Sequence, residues 1–410
     1  MFTPNDNFHL LPDNYLFSEV ARRVAAFREA NPEAEVIRMD IGDVSLPLPA
    51  PAIEAMHFAL DEMGDSATFH GYGPEQGYPF LREAIAKGDY HDRGLSHIHP
   101  DDIFVSDGAK SDVGNMSDLF GPGVRVAVCD PAYPVYVDSN VIDGRAGVPV
   151  DGRWSKLTYL PCTPDNGFKP ALPEGDVDVI YLCSPNNPTG TAMTRDDLRK
   201  WIDYALSHGA LIIYDSAYEA YVTEPDVPRS IYEVEGAERC AIEVRSFSKT
   251  AGFTGMRCGY TVVPEALKYK FSDGSEASLR KMWRRRQCTK FNGAGYIQQR
   301  GAAALYSEAG RESVKANVDV YVANARLLRD TLVGCGCQVF GGVNSPYVWF
   351  RAPGDLTSWQ LFEKILREAH LTSTPGSGFG VTGEGFIRFT GFNTAENTRE
   401  AARRLQKILV

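Results

Sequence analysis

"SFSKTAGFTGMRCG", residues 246–259, follows an alternating apolar stretch, "ERCAIEVR" (238–245). The alternation predicts a strand. Two serines and Lys249 fall at its end, and a glycine-rich turn then brings back Arg257, eight residues after the lysine. A lysine at a strand end is ordinarily a solvated charge. Whether Lys249 is more than that depends on what the rest of the chain places beside it.

From about residue 100 to 265 the chain alternates short apolar runs with helical patterns. "DIFVSDG", "VRVAVCDP", "VDVIYLCSP", "ALIIYDSAY", "CAIEVRSFS" and "MRCGYTVVP" read as strands, and their near-continuous apolar character suits a parallel sheet covered on both faces. Between two of them lies "TRDDLRKWIDYALSHG", with Thr194 as N-cap, Asp197 at the third helical position and Gly209 to end the helix. The alternation predicts a doubly wound α/β domain. An N-terminal arm precedes it, with a helix near 18–30 and the stretch "VIRMDIGD". Helical patterns at about 275–333 follow, then strand "SPYVWFRAP", helix "SWQLFEKILREAH", strand "GFIRFTGF" and helix "NTREAARRLQKIL". The expected organisation is an arm and part of a small domain at 1–47, a large domain at 48–300, and the rest of a small α+β domain at 301–410.

The 410 residues are 43% apolar and 23% charged, an ordinary globular composition, and the formal net charge is -11. That charge argues against a phosphate-tracking nucleic-acid surface. The basic run "RKMWRRRQ" (280–287) reads as a solvated or interface face of a helix. Eight scattered cysteines include no CxxC pair, so neither a structural zinc site nor any other metal is expected. Reduced thiols, no signal peptide and no apolar run of bilayer length lead us to expect a cytoplasmic protein that contacts no membrane.

Open α/β sheets place ligands at the carboxyl ends of their strands, and the unusual residues of this chain fall there. "DGAKSD" follows one strand, "SPNNPTG" another, "YDSAY" ends a third and "SFSK" a fourth. Neither GxGxxG nor GxxxxGK[ST] occurs to suggest a dinucleotide or P-loop fold. A desolvated lysine forms Schiff bases with carbonyls, and pyridoxal phosphate (PLP) is the cofactor that uses this most. It needs a lysine for its aldehyde, an acid beside its ring nitrogen, donors for its phenolate and a cradle for its phosphate. Lys249 supplies the first and Asp215 the second. Tyr218 and Asn187 suit the phenolate. Ser246, Ser248 and Arg257 suit the phosphate, with backbone N–H groups at Ala109 and Lys110 opening a helix. Each motif alone is ordinary turn or cap chemistry; their shared position is not.

"SPNNPTG", "YDSAY", "SFSKTAGFTGMRCGY" and "GFIRFTGF" resemble the class I/II aminotransferases of fold-type I. With "DIGDVSLPLP", "HGYGPEQGYPFLREAIA", "VSDGAKSD" and "DPAYPVYVDSNV", the resemblance covers essentially the whole chain. It implies a mostly parallel, seven-stranded-type sheet in a large domain plus a small α+β domain. It implies PLP, with Lys249, Asp215 and Tyr218 as catalytic residues and Tyr72, Ala109, Lys110, Tyr133, Asn187, Ser246, Ser248 and Arg257 completing the cofactor site. Tyr133 matches the residue stacked on the ring, though core packing stays open for it. Arg388 matches the arginine that forks the substrate carboxylate, and Tyr15, Gly42, Glu75, Lys110, Tyr133, Asn187 and Asn292 complete the substrate set. Tyr72 matches a residue that reaches the neighbouring subunit's phosphate, so a homodimer with shared active sites is implied, acting on small amino and 2-oxo acids. The stretches run closest to the subgroup that converts tetrahydrodipicolinate and glutamate to LL-2,6-diaminopimelate and 2-oxoglutarate in lysine biosynthesis. An aspartate-, aromatic- or alanine-type aminotransferase, or a β-lyase on the same fold, stays open as the alternative.

Overall fold

The computed structural model describes residues 2–11 and 16–409. Seven strands form the central sheet: β1 (Ile103–Ser106), β2 (Val126–Asp130), β3 (Leu157–Pro161), β4 (Val179–Cys183), β5 (Leu211–Asp215), β6 (Ala241–Ser246) and β7 (Gly259–Val262). Their order is β1-β7-β6-β5-β4-β2-β3. Six of the seven match stretches expected from sequence. The seventh, β3, is an edge strand whose alternation, "LTYLP", is only half buried, which is why its signal is weak. β7 alone runs antiparallel to its neighbours, and its register pairs Gly259 with Ser246 on one side and with Ser106 on the other. The turn after β6 therefore reverses the chain at the sheet's carboxyl edge, and Arg257 comes back to the level of Ser246.

Helices α1 (Leu16–Ala30) and α2 (Ala50–Gly64) precede the sheet. Those that matter for the site are α3 (Ala109–Asn115) after β1, α4 (Val135–Ile142) after β2, α5 (Arg195–His208) after β4 and the single turn α6 (Phe247–Thr250) after β6. Helix α5 begins as its sequence dictates. Thr194 Oγ1 accepts from the Asp197 N–H at 3.3 Å, Asp197 Oδ2 accepts from the Thr194 N–H at 3.0 Å, and Gly209 closes the helix at φ 67°. Helix α7 (Leu279–Lys290) carries the basic run, with Trp283 and Gln287 turned inward.

The long helix α8 (Glu308–Gly334) leads to a second sheet of β8 (Gln338–Gly341), β9 (Tyr347–Arg351), β10 (Thr374–Pro375) and β11 (Ile387–Thr390), ordered β8-β9-β11-β10. α9 (Ser358–Ala369) and α10 (Ala395–Leu409) cover it. The apolar stripe of α9, Leu361, Phe362, Ile365, Leu366 and Ala369, is buried at helical spacing against this sheet. The N-terminal stretch 37–40 runs beside it: the Thr372 N–H donates to the Ile37 carbonyl and the Thr390 N–H to the Met39 carbonyl, both at 3.0 Å. Residues from both sheets and from this stretch thus meet at one edge. No disulfide occurs, and all the cysteines except Cys288 are buried. Among the described residues no helix is long and apolar enough to cross a membrane, and no His, Cys, Asp and Glu cluster could hold a metal.

Candidate active site

A cavity of about 450 Å³ opens at the carboxyl edge of the central sheet. Lys249, Asp215, Tyr218, Asn187, Ser246, Ser248, Arg257, Ala109, Lys110, Tyr133, Gly42 and Arg388 all line it. They come from segments far apart in sequence, and the crossovers of the sheet bring them together.

Lys249 sits on α6, and its Nζ donates to the Gly42 carbonyl. Burial lowers its pKa to about 8; the nearby Arg388 and Arg257 act the same way, and Asp43 opposes them. At that pKa an appreciable fraction of the amine is neutral near pH 7, which an attack on a carbonyl requires. Asp215 ends β5. Its Oδ2 accepts from the Tyr136 hydroxyl at 2.7 Å and its Oδ1 from the Ala217 N–H at 3.0 Å. Burial pushes its carboxyl above the usual range although both hydrogen bonds act the other way. It is a carboxylate that gains from a cationic partner.

Around Arg257 the geometry is that of an anion cradle. Arg257 Nη1 donates to Ser248 Oγ at 3.2 Å, Ser246 Oγ accepts from the Ser248 N–H at 3.1 Å, and α3 begins alongside. Gly108 precedes α3 at φ 131°, and a Cβ there would lie 2.4 Å from the Arg257 guanidinium. Only glycine permits both the backbone angle and the approach. Arg257 itself is left-handed, at φ 61°. Such a conformation costs on the order of 1 kcal/mol for a residue with a side chain, and here it turns the guanidinium back over the sheet edge.

Arg388 is 1% exposed in the middle of the small sheet, opposite Trp349 on one side and Thr374 on the other. It donates to Asn187 Oδ1 at 2.7 Å and to the Asp40 carbonyl at 2.8 Å, and the Tyr347 and Phe379 rings lie 4.5 and 5.0 Å from it. Among the described residues no carboxylate pairs with it. A buried guanidinium held only by neutral groups, with its Nε left unpartnered, can receive a carboxylate.

Three of the sequence-derived candidates lie outside the cavity. Tyr72 is 92% exposed, Asn292 is exposed and Glu75 is partly so. They share one surface: a side chain at Gly293 would meet Pro74 and Glu75. Tyr15 lies outside the described residues. Sequence reasoning missed Tyr136, Tyr347, Phe17 and Asp43, all of which line the cavity. Tyr136 had a faint signal, three residues after Tyr133 in "DPAYPVY"; Tyr347 had none.

The fold and the site define a class of protein. The family model for aminotransferase class I and II matches residues 34–405, and the chain belongs to that family. Its members depend in general on PLP, act on small amino and 2-oxo acids and are typically dimeric. Two of its relatives are the LL-diaminopimelate aminotransferases of Phocaeicola vulgatus, 53% identical over 99% of both chains, and of Parabacteroides distasonis, 54% identical over 99% of both. The solved structure of L,L-diaminopimelate aminotransferase from Chlamydomonas reinhardtii superposes with a TM-score of 0.93 at 42% identity, covering 100% of this chain and 99% of that one.

Proposed function

We propose that this enzyme transfers an amino group from glutamate to tetrahydrodipicolinate, giving LL-2,6-diaminopimelate, with PLP held in the cavity around Lys249. One observation carries the reading. Lys249, Asp215 and Arg388 converge on one cavity, in a chain over half identical to proteins named for that reaction.

The residues present fit the cofactor. The cradle at Gly108 and Arg257, which a Cβ would fill, suits its phosphate. The buried Asp215 suits its ring nitrogen, and Lys249, whose pKa burial lowers, its aldehyde. When bound, PLP supplies a carbonyl for amine exchange and a ring that takes up electrons. Lys249 Nζ would hold the aldehyde and, when free, would take the proton from the substrate Cα. Asp215 would hold the proton on the ring nitrogen. Tyr218 and the Asn187 amide would donate to the ring oxygen, and Tyr133 would pack against the ring. Ser246, Ser248, Arg257 and the backbone at Ala109 and Lys110 hold the phosphate. Arg388 and the Gly42 backbone position the substrate's α-carboxylate end, and Tyr15 belongs to the same set.

The surface patch of Tyr72, Glu75 and Asn292 reaches the site of a second copy of the chain. Phe58, Leu60 and Phe69, all more than half exposed, lie on or next to α2 and supply an apolar surface for that contact. In the dimer Tyr72 meets the partner's cofactor phosphate, while Glu75 meets the far ammonium of diaminopimelate and Lys110 and Asn292 its far carboxylate.

The test is direct. Purified protein given LL-diaminopimelate and 2-oxoglutarate forms glutamate, and Glu75→Ala raises KM for diaminopimelate far more than KM for glutamate, which has no far amine. Equal losses for both, or good wild-type activity with aspartate or tyrosine as donor, would move the assignment to a broader aminotransferase.

A further inference from the structure

Tyr347 opens β9 and is 1% exposed. Its hydroxyl lies 2.8 Å from the Tyr218 hydroxyl, and its ring lies 4.5 Å from the Arg388 guanidinium. The same hydroxyl sets what stands at residue 42. An added Cβ at Gly42 would lie 2.5 Å from the Tyr347 oxygen but 3.6 and 3.9 Å from the nearest ring carbons. The carbonyl of Gly42 is in turn the acceptor for Lys249 Nζ. One buried side chain therefore meets the Tyr218 hydroxyl, the Arg388 guanidinium and the space at residue 42, whose carbonyl accepts from Lys249.

We infer that Tyr347 is a positioning residue with two separable actions: its hydroxyl polarises Tyr218, and its ring orients Arg388. The inference rests on the PLP reading above. The hydroxyl makes no hydrogen bond among the described residues except that to Tyr218. With Tyr218 donating to the ring oxygen of a bound cofactor, Tyr347 donates to Tyr218, and the two hydroxyls form a short chain. Hydrogen bonds in such a chain strengthen one another in a site of low dielectric. Without Tyr347's hydroxyl Tyr218 is a weaker donor, and the ring oxygen is more basic. The proton shared between that oxygen and the Lys249 nitrogen is then held to higher pH. The ring acts differently: it stacks on the face of the guanidinium and keeps its fork aimed into the cavity.

The experiment is a spectroscopic pH titration of the PLP-loaded protein, following the midpoint of its visible absorption change. Tyr347→Phe keeps the ring, so KM for glutamate changes less than threefold while the midpoint rises by about one pH unit. Tyr347→Leu removes both, so KM also rises at least tenfold. Gly42→Ala forces the hydroxyl away from its place and gives the same upward midpoint shift. The double variant Gly42→Ala/Tyr347→Phe shifts no further than either single one, because both act on one contact. The cofactor-free variants melt within about 3 °C of wild type, which separates this role from damage to the fold. An unchanged or lowered midpoint in Tyr347→Phe, or additive shifts in the double variant, would overturn the inference and leave the functional reading standing. A wild-type protein that takes up no cofactor and shows no titrating band would overturn both.

Discussion

Replacing Arg388 by methionine tests whether its burial serves the ligand or the fold. The guanidinium is 1% exposed, with neutral hydrogen-bond partners and no carboxylate among the described residues. A substrate carboxylate would accept two charge-assisted hydrogen bonds from it, each of about 1.5–3 kcal/mol. The sum, roughly 3–6 kcal/mol, corresponds to a loss of about 10² to 10⁴ in kcat/KM. Stability should respond differently. Removing a buried cation that lacks an ionic partner relieves a desolvation penalty, and hydrophobic replacements of buried ionic groups are often neutral or stabilising by 1–4 kcal/mol. Against that stand the acceptors at Asn187 and the Asp40 carbonyl, each losing a donor at roughly 1–3 kcal/mol; the second keeps Thr374 Oγ1 at 2.9 Å. The terms nearly cancel. Steady-state kinetics with glutamate, alongside thermal unfolding with and without glutarate, reads both quantities. We expect Arg388→Met to melt within about 3 °C of wild type, to lose the stabilisation that glutarate gives the wild type, and to lose at least a hundredfold in kcat/KM. A loss below tenfold, or a large fall in melting temperature with glutarate still stabilising, would refute the reasoning and make Arg388 a structural residue.

Three further outcomes follow from the site. The rate at which cofactor-free protein takes up PLP should rise with pH through a midpoint near 8 rather than near the ordinary lysine value, because burial favours the neutral amine of Lys249; Asp43→Asn should move that midpoint lower, and stopped-flow absorbance measures both. Mixing inactive Tyr72→Ala and Lys249→Ala proteins should restore some activity, since a mixed dimer holds one intact site; no recovery after demonstrated subunit exchange would sink the shared-site reading. Asp112, buried between the Ser106 and Thr261 hydroxyls that donate to it, has its carboxyl pushed up to about 7 by burial. A raised carboxyl favours the fold below the ordinary carboxylate pKa and loses that contribution as pH rises through 7. Asp112→Asn should therefore flatten a pH-dependent fall in stability of up to about 4 kcal/mol between pH 4 and 9, read by denaturant unfolding.

Much of this was legible because the chemistry sits where strand signals end. "SFSK", "YDSAY" and "SPNNPTG" each follow an apolar run, so a residue-level reading finds Lys249, Asp215 and Asn187 and the sheet edge they share. The helix limits at Thr194 and Gly209 were equally plain, since capping is local. What stayed hidden depends on contacts made by folding. Tyr347 lies 129 residues beyond Tyr218 in the partner sheet, and nothing in "SPYVWF" marks it. Tyr136 looks like one more core aromatic until its hydroxyl is seen on Asp215. The reversed direction of β7 could not be read from "MRCGYTVVP", because an interior strand buries both faces whichever way it runs. Tyr72 and Asn292 are exposed and Glu75 partly so on the single chain, and only the family resemblance gave them a role.

That exposure has an evolutionary consequence. Apart from Tyr72, the groups proposed to hold the cofactor ring and the common α-carboxylate lie within or against the core, where a substitution disturbs packing and buried polar partners. The groups proposed to sense the far end of the substrate sit on a surface patch, where most substitutions change folding by less than about 0.5 kcal/mol. Reactivity and selectivity are therefore subject to unequal mutational tolerance. A lineage can drift toward a new substrate through residues 75 and 292 without first acquiring stabilising changes, while the lysine, the aspartate and the arginine stay fixed.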